Sequence, residues 1–267
     1  MSSRYSDGRP GIVSRARVVE RIAQAATRSV VLVLAPAGYG KSVALDQYLT
    51  PLKDYARFDA TRDGAGLLER IAESLEESKG TIVVDGLDAF EERVLQPFVA
   101  LVERTKRRTR WILASRSSLG LPIGTWLAYG DCDLPIDRAD LSFTLAETSD
   151  GAQAIGLEPA NGQLRALLEF TESWPVAVHL GLQAYARMPD RRDAFAAIRE
   201  AAHHYWVEQV YASIDVPERA LLAVAAALPD IDVGVLELAG FKTASQITDS
   251  FRARTGLLEE TGSGAYR

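Results

Sequence analysis

The stretch Ala35-Pro-Ala-Gly-Tyr-Gly-Lys-Ser42 constrains this chain more than any other. It follows the apolar run Val30–Leu34 and leads into Val43-Ala-Leu-Asp-Gln-Tyr-Leu49, which reads as a helix. A strand, a glycine-containing turn and a helix N-terminus in that order are the context of a phosphate-binding loop. Gly38 and Gly40 let the backbone curl so that successive N–H groups face phosphate oxygens. Lys41 supplies a compact positive charge, the Ser42 hydroxyl is a hard donor suited to Mg²⁺, and the helix dipole adds attraction for anions. Ala37, Gly38, Tyr39, Gly40, Lys41, Ser42 and Val43 are therefore the candidate nucleotide-binding loop. Ala35 stands where such loops usually carry a first glycine.

Up to about residue 137, apolar runs of strand length alternate with longer amphipathic stretches. The expected strands are Val30–Leu34, Tyr55–Phe58, Thr81–Val84, Trp111–Ala114 and Cys132–Ile136. Helices are expected at Leu45–Leu49, Ala65–Glu77 and Glu91–Lys106. Such alternation predicts an α/β fold, a parallel sheet with helices on both faces and the ligand site beyond the strands' carboxyl ends. From Thr144 the strand signal stops. Thr144-Leu-Ala-Glu147 is a capping box, and helices are expected at Asn161–Thr171, Pro175–Arg187, Arg191–Glu200, Tyr205–Ser213, Pro217–Ala227, Val233–Ala239 and Ser245–Arg254. The last residues, from Gly256, read as a short strand, a glycine-rich turn and a returning strand. The expected organisation is an α/β domain over 1–143, a small helical domain over 144–202 and a winged-helix domain over 203–267, cut off in its wing.

A phosphate loop needs an acidic partner to hold Mg²⁺ and position water. The apolar strand ending Val84-Asp85, with Asp88 one short turn later, supplies it: Asp85 for the metal shell together with Ser42, and Asp88 to polarise water. Glu91 and Glu92 compete with Asp88, although both also suit a helix start. Trp111-Ile-Leu-Ala-Ser-Arg116 is a buried-type strand whose carboxyl end falls beside the loop, which makes Arg116 a candidate γ-phosphate sensor. Spacing alone reads Trp174 as a core residue and Pro175 as a helix start.

With 267 residues and 47% hydrophobic residues, the chain has room for about two domains. Its net charge of −6 gives no global attraction to nucleic acid or anionic membrane. The basic run Lys106–Arg110 suits a helix C-terminus. A single cysteine, Cys132, allows no intrachain disulfide, and three histidines offer no zinc spacing. No apolar stretch reaches membrane-spanning length, and the first residues lack a signal-peptide core, so a cytoplasmic protein is expected.

The loop resembles that of STAND ATPases, particularly the large ATP-binding LuxR-type and maltose-activator-like transcriptional regulators. Val13-Ser-Arg-Ala-Arg17 resembles the family's arginine-containing N-terminal segment. Leu113-Ala-Ser-Arg116 through Leu141-Ser-Phe-Thr144 resembles its sensor strand and linker, and Glu172-Ser-Trp-Pro175 its Glu-Gly-Trp-Pro segment. The resemblance implies ATP/ADP with Mg²⁺ as ligands, Val13 and Arg15 lining the adenine side, Pro175 against base or ribose, and Arg116 as sensor. Three departures stand out: Gly86 replaces the second of two adjacent aspartates, giving a NACHT-like Asp-Gly-Leu-Asp; Ser173 replaces glycine; and the chain stops before the family's winged-helix histidine.

The resemblance implies a switch that opens and self-associates with ATP, hydrolyses slowly if at all, and answers to sensor and effector regions not in this sequence. No direct nucleic-acid contact and no membrane are expected of it. The rival readings are a P-loop phosphotransferase, an AAA-type motor and a non-hydrolysing ATP-binding scaffold.

Overall fold

The computed structural model of the chain describes residues 12–63, 66–77, 80–118, 120–188, 191–225, 231–255 and 265–266. Its first part alternates as expected: α1 (Ala16–Ala25), β1 (Val30–Leu34), α2 (Lys41–Leu49), β2 (Tyr55–Asp59), α3 (Ala60–Asp63), α4 (Leu67–Glu76), β3 (Thr81–Asp85), α5 (Glu92–Thr105) and β4 (Arg110–Ser115). The strands form one parallel sheet in the order β1-β4-β3-β2. β1, β3 and β4, buried on both faces, are rich in Val, Ile and Leu, whereas β2 at the edge, Tyr-Ala-Arg-Phe-Asp, buries only Phe58. One face packs Ile82, Val84, Trp111 and Leu113 against α4 and α5; the other packs Val31, Val33, Val83 and Ile112 against α1 and α2. Helix α1 is not among the expected elements, yet Val18, Ile22 and Ala25 put a buried stripe along it at helical spacing.

The expected fifth strand is only partly made. Cys132 and Ile136 each form a single parallel bridge, to Val30 and Val33 beyond β1. Pro135, between them, has no N–H to give the ladder, and Leu134 turns outward, 69% exposed. The segment still covers the β1 edge.

Helices α6 (Ile123–Ala128) and α7 (Arg138–Leu141) precede the helical part: α8 (Leu145–Ala154), α9 (Asn161–Phe170), α10 (Pro175–Arg187) and α11 (Arg191–Gln209). The Thr144–Glu147 capping box opens α8, both reciprocal bonds being present. Val13 and Phe143 pack into the core of these helices with Leu164, Leu167, Val178 and Ile198. The two helices expected at Arg191–Glu200 and Tyr205–Ser213 are one. Between them stand no glycine and no proline to break it, so α11 runs unbroken past residue 202 and gives way to a 3₁₀ turn at Tyr211–Ser213.

The last part holds α12 (Val216–Ala225), β5 (Ile231–Asp232), α13 (Val233–Leu238), α14 (Ala244–Thr255) and β6 (Ala265–Tyr266). Strands β5 and β6 pair antiparallel. The expected strand and turn from Gly256 to Gly264 lie outside the described residues, as do the last residues expected of α12. Phe251, Val210 and Ile214 form a small cluster against which Ala37 of the phosphate loop packs. The loop is thus in touch with all three parts of the chain.

Candidate functional site

The loop begins as an extension of the sheet. Ala35 N donates to Ser115 O at 3.2 Å, and only Gly38 (φ 81°) and Gly40 (φ 76°) within the loop take left-handed backbone. Position 35 therefore has no need of glycine. Gly38 has a second constraint: a Cβ there would lie 2.6 Å from Trp174 Nε1 and 2.8 Å from Val176 Cγ1. Trp174 Nε1 donates to Ala37 O at 3.1 Å, and Val176 N donates to Gly38 O at 3.2 Å. The start of α10 is docked directly on the loop.

The turn that presents Trp174 is a Schellman end of α9, with Glu172 N donating to Glu169 O (3.3 Å) and Ser173 N to Leu168 O (2.8 Å). It places Glu172 (φ 50°) and Ser173 (φ 58°) in left-handed backbone. That conformation accounts for glycine in the resembling segment, and Ser173 holds it against its own preference. Trp174 packs edge-on to Tyr205, their ring centroids 5.7 Å apart. Trp174 is half-buried and holds the loop from outside the cores of the molecule, not from within one.

Loop, N-terminal segment, α10 and α11 enclose a cavity of about 390 Å³, within the range of small-molecule sites, roughly 300–1,000 Å³. Gly38, Gly40, Lys41, Ser42 and Val43 floor it; Val13, Arg15 and Phe143 form one wall; Pro175, Val176, His179 and Tyr205 form the other. Burial pushes the His179 imidazole below its ordinary pKa and the Tyr205 phenol above its own, the latter opposed by Arg116. Both rings are neutral at pH 7. Ala37 and Tyr39 instead face a second cavity on the opposite side of the loop, shared with Phe170, Trp174 and Trp206.

Lys41 folds back, its Nζ donating to Ala35 O at 2.6 Å and Pro36 O at 3.1 Å. Burial lowers its pKa to about 8; Asp88 and Asp85 oppose that shift and Arg116 adds to it. The ammonium is held on the loop with two carboxylates in electrostatic reach.

Each nearby carboxylate carries an arginine. Arg116 N donates to Asp88 Oδ1 at 3.1 Å, and Arg116 Nε lies 3.0 Å from Asp88 Oδ2. The same guanidinium donates from Nη1 to Gln209 O at 2.9 Å, at the C-terminal end of α11, where the helix dipole favours a cation. Asp85, buried at the end of β3, pairs through Oδ2 with Arg57 Nη2 at 3.0 Å. Arg57 also grips Asp46 on α2. Between the two acids, Gly86 takes φ 73°, and a Cβ there would meet Thr61 Cγ2 at 2.8 Å. A side chain at that position would be strained and would have to displace Thr61. Glu91 sits at the start of α5, exposed and paired with Arg93.

Arg15 is 2% exposed. Its Nε lies 3.0 Å from Glu147 Oε1, its Nη2 donates to Leu141 O, and its guanidinium stacks 4.6 Å from the Phe143 centroid. Burial lowers its pKa, and Glu147 resists. Gln47 of α2 clamps the same segment, accepting from Arg15 N (2.7 Å) and donating to Val13 O (2.9 Å). Arg15 lines the cavity, but its charge is spent on Glu147.

The structure thus gathers Val13, Arg15, Gly38, Gly40, Lys41, Ser42, Val43 and Pro175 around one cavity, with Asp85, Asp88 and Arg116 at the neighbouring strand ends. Sequence reasoning missed Arg57, Phe143, His179 and Tyr205. His179 had a signal, since it stands one helical turn after Pro175. So had Arg57, a charge in a strand expected to be covered on both faces. Tyr205 had none. Among the described residues, no cluster of three or more His, Cys, Asp or Glu side chains can hold a metal, and no helix is long and apolar enough to cross a membrane.

No protein-family model matches this chain, and no curated protein does. Solved structures do. The Walker-type ATPase of Pyrococcus abyssi superposes with a TM-score of 0.66 at 14% identity, over 98% of this chain and 96% of that one. A mutant of Thermotoga maritima RuvB gives 0.52 at 11% identity, over 96% and 93%. A STAND protein of Pyrococcus horikoshii with a tetratricopeptide repeat sensor gives 0.47 at 14% identity, over 96% of this chain and 41% of that chain. The fold is that of a P-loop NTPase: a four-stranded parallel sheet between helices, followed by a helical region.

Proposed function

We propose that the chain is an ATP/ADP-binding switch module, with nucleotide in the cavity between the phosphate loop and the start of α10. One observation carries this reading: Arg116 joins Asp88 at the strand ends and, with the same guanidinium, the last carbonyl of α11. A γ-phosphate that draws Arg116 away loosens both contacts. ADP, lacking that group, leaves them in place. Affinities for the two nucleotides in the two arrangements must differ, since equal affinities shift nothing.

The residues fit the ligand. Gly38 and Gly40 give a loop without side chains to obstruct phosphate, Lys41 supplies the charge, and Val13, Phe143, Pro175 and Val176 give apolar walls for a base. Mg²⁺ also fits: Ser42 and Asp85 are hard oxygen donors, too few to hold the ion alone, as expected of a metal that arrives with phosphates. Bound there, it would offset phosphate charge. Asp88 is the group to polarise water, but in this arrangement its Oδ1 accepts from the Arg116 amide and its Oδ2 is paired with the Arg116 guanidinium. That favours slow turnover, and hydrolysis waits on the guanidinium leaving Oδ2.

By this reading the sheet (1–143), the helices from 144 and the winged-helix-like end (203–267) are three units, with α11 crossing the second boundary and acting as the moving part. Resemblance to STAND regulators supports a signalling, transcriptional output and self-association in the ATP state. The test is nucleotide content: denature the purified chain, chromatograph what is released, and titrate stripped protein with ADP and ATP. Binding that Lys41→Ala removes, with the fold intact by circular dichroism, supports the site. ADP and ATP affinity retained in Lys41→Ala overturns it.

A further inference from the structure

The pair Arg57–Asp85 is not part of the phosphate-loop motif, and nothing in the switch reading uses Arg57. In the register of the sheet, Asp59 lies opposite Asp85 and Arg57 opposite Val83. Strand alternation therefore puts Arg57 on the same face as Asp85, the face covered by α2. From there its fork reaches two carboxylates at once: Asp85 Oδ2 through Nη2 at 3.0 Å, and Asp46 Oδ1 through Nη1. Asp46 stands one helical turn beyond Ser42. The side chains of Arg57, Asp85 and Asp46 are 25%, 9% and 61% exposed, so the inner contact is the better shielded and the outer one the softer.

We propose that Arg57 is the resident counter-cation of Asp85, a positioning residue that sets how strongly the nucleotide site takes a divalent cation. The inference rests on the nucleotide reading above. A divalent ion approaching Asp85 and Ser42 meets a carboxylate already paired with a positive charge at 3.0 Å. Like charge at that range disfavours the incoming cation. Asp46 gives Arg57 somewhere to lean when the ion arrives, so the bridge is an exchange device: Arg57 shifts toward Asp46 as Asp85 is claimed. Arginine suits this because its planar fork holds two carboxylates together, whereas a lysine offers a single point.

The test is Mn²⁺ binding, read by electron paramagnetic resonance with the protein saturated in ADP, beside calorimetric titration of ADP without metal. Arg57→Met should tighten Mn²⁺ about tenfold, with no gain in affinity for ADP alone. Arg57→Lys should fall between the two. Asp46→Asn, which leaves Arg57 wholly to Asp85, should weaken Mn²⁺. A residue that merely supports the fold would weaken metal binding in all three. Mn²⁺ affinity unchanged or weakened in Arg57→Met, with ADP bound normally, overturns the inference while the nucleotide site stands. If Arg57→Met fails to fold, Arg57→Lys and Asp46→Asn must still move in opposite directions. A wild-type chain that takes up no ADP overturns the nucleotide reading and this inference with it.

Discussion

Arg15 and Glu147 stand 132 positions apart in the chain and meet at 3.0 Å, their side chains 2% and 9% exposed. The pair fastens the N-terminal segment, and through Gln47 the phosphate-loop helix, to the first helix of the helical part. Glu147 also completes the capping box, accepting from Thr144 N at 2.9 Å. Glutamine can keep that bond while removing the charge. Glu147→Gln should therefore cost about 3 kcal/mol, the cost of leaving one member of a buried pair uncompensated. Arg15→Met should cost less, because Arg17 Nη2 remains 3.6 Å from Glu147. The double variant should recover part of the loss, and a denaturation cycle over the four proteins measures it.

Ser173 offers the opposite sign. It holds left-handed backbone at φ 58°, one residue after Glu172 does the same, and a non-glycine residue there costs roughly 1 kcal/mol. Its backbone is fixed by contacts at both ends, Ser173 N to Leu168 O and Phe143 N to Ser173 O, so glycine would inherit a conformation already imposed. Ser173→Gly should raise stability by up to about 1 kcal/mol, less the added freedom of the unfolded chain. A fall in the urea midpoint would show that the serine side chain holds the turn by something other than its backbone.

How far the sequence told this follows from the range of each signal. Strands β1, β3 and β4 and the loop were legible because a doubly covered parallel strand is apolar almost throughout and the loop motif is local; β2 showed only by its place in the alternation. The edge segment 132–136 was half legible: its apolar residues match β1, while Pro135 denies it a ladder. The expected break inside α11 falls at Ala201-Ala-His-His204, where neither glycine nor proline interrupts the helix. Lys41 and Ser42 could be found by spacing, but Arg57, Phe143 and Tyr205 reach the site only through tertiary packing. Gly86 departs from the resembling family's pattern, and its left-handed backbone and the closeness of Thr61 both favour glycine in this turn.

Arg116 carries the switch prediction. Arg116→Ala removes the ion pair to Asp88 and the bond to Gln209 O together. Amide hydrogen exchange from Gln209 into the 3₁₀ turn at Tyr211–Ser213 should then quicken about tenfold in the nucleotide-free protein, the weight of one charge-assisted hydrogen bond. In the wild type, ATP should produce that same increase and ADP should not; in the variant neither nucleotide should add to it. Wild-type exchange rates in Arg116→Ala would mean that the end of α11 is held by packing around Val210 and Phe251 instead.

Lys41 ties the site to pH. Its pKa of about 8 lies below the ordinary 10.5 because burial disfavours the charge. Below pH 8 the ammonium is present in the empty site, so phosphate binding should be flat with pH. Above it the empty site is increasingly neutral, and since phosphate favours the charged form, binding must take up a proton. ADP affinity should then decline toward tenfold per pH unit, with proton uptake visible by calorimetry in buffers of different ionisation enthalpy. The folding sign is opposite. Between about pH 8 and 10.5 the unfolded chain binds the proton that the folded chain has lost, so this group's contribution to stability rises with pH across that window. Lys41→Met should remove the rise in stability between about pH 8 and 10.5, read as the urea midpoint against pH without nucleotide. A rise that persists in Lys41→Met would assign the titration to another group.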